Sequence, residues 1–271
     1  MTTGTPALSG TEHYIYRRHG KVYVHRVGGG DPIVLLHAVG GHAKGWVEIT
    51  RHLEQHFACY ALDMPGHDHS DIPPIKYSMD DYADAVADVM DAIGLEHANV
   101  IGGHTGAMVA LILGARYPKL VGKLVLDGLP YWNKEQGQII WERWFSPMYT
   151  DTISYHVPVI PLDTWEEAKS KNPGLKREEW ESRHTMSQKS RLWWRLSQEA
   201  NSDCDIASFG PKVKAPTLLL FGDGDTLRRT ENKANQEIAG SVLKVIPDCP
   251  GQVARDKPEI LAKEALDFFN R

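Results

Sequence analysis

Residues 98–109, Ala98-Asn99-Val100-Ile101-Gly102-Gly103-His104-Thr105-Gly106-Ala107-Met108-Val109, restrict the fold of this chain more than any other stretch. An apolar run stops in small residues, and a second apolar segment, Met108 to Leu113, begins at once. That order reads as a buried strand, a sharp turn and a buried helix. Small residues two places on either side of the tip, Gly102 and Gly106, are what a strained strand-to-helix turn tolerates. The residue at the tip is His104.

The flanking sequence repeats the strand-then-helix alternation. Pro32-Ile33-Val34-Leu35-Leu36-His37 and Phe57-Ala58-Cys59-Tyr60-Ala61-Leu62-Asp63 are continuous apolar runs, suited to strands buried on both faces. Residues 12–27 alternate as two strands around His19-Gly20. Ser78 with Asp81 three places on is capping-box spacing, and the helix that follows stops at Gly94. Further strands are expected at Lys123-Leu124-Val125-Leu126, Thr217-Leu218-Leu219-Leu220-Phe221 and Val242-Leu243-Lys244-Val245-Ile246, with a last helix opened by Pro258. The expectation is an α/β fold: a mainly parallel eight-stranded sheet with helices on both faces.

Between Tyr131 and about Asn201 the pattern changes. No run there reads as a strand, and every tryptophan except Trp46 lies between Trp132 and Trp194. The expected organisation is an α/β core of residues 1–130 and 201–271 with a helical lid, residues 131–200, inserted in it. The aromatic residues either glue this insertion to the core or also line a pocket, with Trp132 a candidate ligand contact.

Thirty basic against thirty-five acidic side chains give a formal charge of −5 with no basic block, which argues against nucleic acid and anionic membranes as partners. Cys59, Cys204 and Cys249 are widely spaced and form no C-x-x-C, as expected of reduced thiols in a cytoplasmic protein. The first residues lack the basic and apolar regions of a signal peptide, and no run approaches a membrane span. Several of the thirteen histidines converge on strand ends, but neither a metal nor a cofactor is expected. The expected partner is a small-molecule substrate, and a homodimer is compatible with the sequence.

The succession His37-Ala38-Val39-Gly40-Gly41, then Asp63-Met64-Pro65-Gly66-His67, the Gly-x-His-x-Gly turn, a helical insertion and Gly222-Asp223-Gly224-Asp225 resembles the α/β-hydrolase superfamily along nearly the whole chain. The resemblance implies that the turn is a nucleophile elbow, with backbone N–H groups of Val39 and Thr105 as oxyanion donors. It implies that Asp225, or Asp127 at the alternative position, is the triad acid, and that His37 braces the oxyanion loop beside the ligand site. Two triad positions depart from the family. His104 replaces the usual serine, and Cys249-Pro250-Gly251-Gln252 stands where a Gly-His pair would carry the base.

A serine mechanism with a distal histidine is therefore absent. An imidazole at the elbow tip can act as general base at neutral pH, attack directly, hold a metal or merely fill the turn. Gln252 is a polar candidate for holding a water or a substrate carbonyl. The expectation is a cofactor-free enzyme acting on a small apolar or aromatic carbonyl compound, with His104 as base. Hydrolysis comes first, on family grounds. A lyase, decarboxylase or cyclase would fit the same residues, and a non-catalytic small-molecule receptor is the alternative of a different class.

Overall fold

The computed structural model describes residues 10–146, 164–171, 173–174 and 177–271. Eight strands form one sheet: β1 (Thr11–Arg17), β2 (Gly20–Val27), β3 (Asp31–Leu36), β4 (Phe57–Leu62), β5 (Ala98–Gly103), β6 (Val121–Asp127), β7 (Thr217–Gly222) and β8 (Val242–Ile246). Their order is β1-β2-β4-β3-β5-β6-β7-β8. β1 and β2 run antiparallel to their neighbours, and the other pairs are parallel.

Successive side chains of a strand point to opposite faces, so the apolar runs feed two cores. Val34 and Leu36 of β3 join the core beneath α2 (Met79–Ala92) and α3 (Thr105–Arg116). Ile33 and Leu35 join the core on the other face, under α1 (Val47–Leu53) and, once the chain has closed, α9 (Pro258–Phe269). Full burial of every residue from Ile33 to Leu36 explains why β3 carries no polar alternation. The Ser78–Asp81 capping box forms as the spacing predicts, with both reciprocal hydrogen bonds starting α2.

The helix α3 is buried from Thr105 to Gly114, and it approaches the sheet closely enough that a methyl group on Gly106 would strike the Leu36 carbonyl oxygen. Glycine is thus required there by contact with another strand's backbone.

Among the described residues of 131–200 there is no strand. This stretch carries α4 (Lys134–Ile140), α5 (Trp165–Lys171) and most of α6 (Arg177–Asp203), which continues past residue 200 into the core. Asn133 and Gln136 cap α4 reciprocally. The chain then completes the sheet through α7 (Glu231–Glu237) and α8 (Val253–Asp256). Cys59, Cys204 and Cys249 are free and buried. Among the described residues, no helix is long and apolar enough to cross a membrane.

Candidate active site

His104 occupies the tip between β5 and α3 with φ 49° and ψ −108°, a left-handed conformation rare for a residue with a side chain. Its backbone is held on both sides. The amide donates to the Asp127 carbonyl at 2.8 Å, and its carbonyl accepts from Ala107 and Met108. The strain has a local result: the imidazole stands clear of the helix with about 29% of its side chain exposed, while the surrounding turn is buried.

The imidazole Nε2 lies 3.0 Å from Asp225 Oδ2. Asp225 follows β7 and caps the next turn, its other oxygen accepting from Leu227 N at 2.9 Å. Burial alone would raise this carboxyl, but the hydrogen bond and charge of His104 together with the Leu227 amide outweigh it and hold Asp225 below the usual carboxylate range. An ionised carboxylate only accepts, so Nε2 carries a proton, and in the neutral ring the lone pair is on Nδ1, at the opposite edge. Gly128 makes room for the pair, at φ 65°: a methyl group there would lie 2.6 Å from Asp225 Oδ2 and 2.7 Å from His104 Nε2.

The other acid candidate, Asp127, is at the end of β6 and is not bonded to the His104 ring. Its two oxygens accept from Val253 N at 3.1 Å and Ala254 N at 2.8 Å, the first amides of α8. Complete burial pushes its carboxyl up to about 7, against those two amides and the charge of His104. Asp127 thus anchors the segment that carries Gln252, the residue preceding α8. The Gln252 amide closes over the Cα of Gly103, next to the tip: a methyl group on Gly103 would collide with Gln252 Nε2.

His37 stands in the structure as a brace. Its Nδ1 lies 2.7 Å from the Ala38 carbonyl and its Nε2 accepts from Met64 N at 2.9 Å, so backbone occupies both nitrogens. Burial, with the nearby His67, keeps it neutral far below the usual histidine range. It braces the loop 37–41 against the turn after β4. Trp132 is likewise spent on structure: it is buried and its Nε1 donates to the Asn201 carbonyl at 3.2 Å. Val39 lies in the loop after β3, and Thr105 is the first residue of α3, whose first amides have no acceptor within the helix. The close contact of Gly106 with the Leu36 and His37 carbonyls brings that loop and that helix start together.

Four side chains of α6 go beyond what the sequence reading named. Asn201 of α6 donates to Thr105 Oγ1 at 2.8 Å, and its buried Oδ1 has no hydrogen-bond partner among the described residues. The Trp194 ring covers Gly40, and a methyl group there would lie 2.8 Å from its Cζ2. Trp193 packs on Gly66 and donates to Tyr82 Oη at 2.7 Å, which in turn bonds Ser197 Oγ. Trp193, Ser197 and Asn201 recur every fourth residue, the spacing of one helix face, and that period was the available signal.

The tip at a strand-to-helix turn, the acid after β7 and the loop after β3 are features of a known family. Residues 31–249 match the family described as alpha/beta hydrolase fold, and the chain belongs to it. It is 35% identical to the 2-hydroxy-6-oxononadienedioate/2-hydroxy-6-oxononatrienedioate hydrolase 2 of Pseudomonas putida, over 89% of this chain and 88% of that one. It is 23% identical to the 2-hydroxy-6-oxo-6-phenylhexa-2,4-dienoate hydrolase of Comamonas testosteroni, over 92% and 91%. The enol-lactonase from Burkholderia xenovorans LB400 shares the fold, with a TM-score of 0.75 and 19% identity over 96% of this chain and all of that one. Against uncharacterized mycobacterial relatives the match is local, and the chain spans about a third (32%) of their length.

Proposed function

We propose that this protein is a cofactor-independent hydrolase of a small, apolar or aromatic carbonyl compound, with His104 as general base. The hydrogen bond from His104 Nε2 to Asp225 carries the reading, because it fixes the tautomer and leaves Nδ1 as the basic atom. The base thus stands where the family's covalent nucleophile would be, so water attacks without an acyl-enzyme. Nδ1 takes a proton from water, the hydroxide adds to the substrate carbonyl, and the oxyanion is held by the Val39 and Thr105 backbone N–H groups. Collapse of the adduct breaks the bond to the leaving group, which takes the proton back from His104. Asp225 stays ionised and stabilises the imidazolium between the two transfers. Gln252 presents its amide beside the reacting carbonyl, and α6 covers the site through Trp194 and Asn201.

Two relatives support the substrate class, since each is named as a hydrolase of a 2-hydroxy-6-oxo compound, one carrying a phenyl group. The test is a panel of 2-hydroxy-6-oxo-dienoates, enol-lactones and aryl ketones, followed by product formation in H2(18)O. The reading requires steady turnover of at least one, with label in the product and no pre-steady-state burst. A burst, or a trapped covalent adduct on His104, would contradict it.

A further inference from the structure

The turn after β4 holds a second group of chemistry-bearing side chains that the proposed reaction does not use. Asp63, Asp68 and His69 each present one donor atom, and these atoms lie within 4.8 Å of one another. His69 Nδ1 is 3.1 Å from Asp63 Oδ2 and 2.8 Å from Asp68 Oδ2. Both carboxylates are almost fully withdrawn from solvent, with 1% and 4% of their side chains exposed, whereas His69 is 30% exposed.

A single imidazole nitrogen carries at most one proton, yet this one faces two buried carboxylate oxygens. Asp63 is otherwise satisfied, accepting from the Ala43 and His69 amides. Asp68 is not: despite its nearness to Nδ1, its Oδ2 is buried and makes no hydrogen bond among the described residues. A buried carboxylate oxygen without a donor is costly unless a cation meets it.

The spacing suits such a cation. Bonds of about 2.0–2.2 Å to one imidazole nitrogen and two carboxylate oxygens hold the donors roughly 2.8–3.5 Å apart in octahedral or tetrahedral geometry. The two separations from Nδ1 fall in that range. The ligand side chains are also oriented from behind. The Ala43 amide fixes one oxygen of Asp63, and the Tyr23 ring lies against His69 with centroids 4.8 Å apart.

We propose that Asp63, Asp68 and His69 bind one divalent cation of the first transition row, with water completing its shell on the exposed side of His69. Mixed nitrogen and oxygen ligands select this class over magnesium or calcium, which take oxygen alone. The bound ion ties the 63–71 turn to Ala43 and, through the Met64–His37 hydrogen bond, to the loop that carries Val39. Its role is to stiffen that loop from outside the reaction centre.

The test uses the full chain freed of metal by a chelator and titrated with zinc chloride, reading stoichiometry by calorimetry and thermal unfolding with and without the ion. One equivalent is expected, with a rise in Tm. Asp68→Gly is the informative variant, because residue 68 has φ 38° and glycine adopts that conformation without strain. It should fold at least as well as the parent without metal, bind zinc at least about 100-fold more weakly and lose the Tm increment. His69→Gln should do the same. Binding of less than one equivalent by the parent, or unchanged binding in both variants, would overturn the proposal.

Discussion

His104 meets Asp225 through Nε2, the ring nitrogen farther from its own backbone, at 3.0 Å. In Asp225→Asn the side-chain amide would donate to Nε2 and drive the ring proton to Nδ1, removing the lone pair assigned to catalysis. The Leu227 cap survives, since the asparagine oxygen still accepts that amide. Turnover should fall by roughly 10²–10⁴-fold with little change in thermal unfolding. Steady-state kinetics beside a melting curve checks both parts.

Gly128 bears on the same pair from below. Gly128→Ala places a methyl group at φ 65° against His104 and Asp225. The expected cost is roughly 1–3 kcal/mol of stability, from the left-handed backbone and the collision together. A loss of about 10²-fold in kcat is expected as the ring is displaced. Chemical denaturation and kinetics on one preparation measure the two effects.

Asp127 predicts a pH dependence of stability. Its carboxyl is raised in the folded protein from an ordinary 3.8 to about 7, chiefly by burial. Between those values the native state binds more protons than the unfolded state, so this residue's contribution to stability is lost as pH rises through that window. Asp127→Asn lacks the term. The difference in unfolding free energy, parent minus variant, should therefore decrease from pH 4 to pH 7. A difference that is flat or rising across that range would contradict the assignment.

Restoring the family's serine should not restore its chemistry. In His104→Ser a hydroxyl returns to the tip, but Gln252 beside Gly103 offers no base. Simple aryl esters should be turned over no faster than by the parent, whereas vigorous hydrolysis would show that another histidine activates the serine.

Much of this architecture is legible in the sequence, because burial on both faces writes unbroken apolar runs and the tip demands small neighbours. His104 could be placed at its turn from Gly102 and Gly106 alone, and the start of α2 from Ser78 and Asp81. The partner of His104 could not, since Asp127 ends β6, Asp225 follows β7, and only what the fold brings to each tells them apart. Two α8 amides claim Asp127, leaving Asp225 for the ring. Asn201 reaches Thr105 across 96 positions, a contact that only tertiary packing creates. The bracing role that the resemblance implies for His37 takes its physical form in the two backbone bonds to its ring, which the sequence cannot show.

His104→Gln isolates proton acceptance by His104, because it keeps a polar tip of similar length but no base near neutral pH. Ligand affinity and single-turnover chemistry should be measured on the same protein. Affinity should stay close to the parent's while the single-turnover rate falls by roughly 10²–10⁴-fold. Full single-turnover chemistry in His104→Gln would contradict that role, as would a variant that changes affinity alone, the behaviour of a receptor.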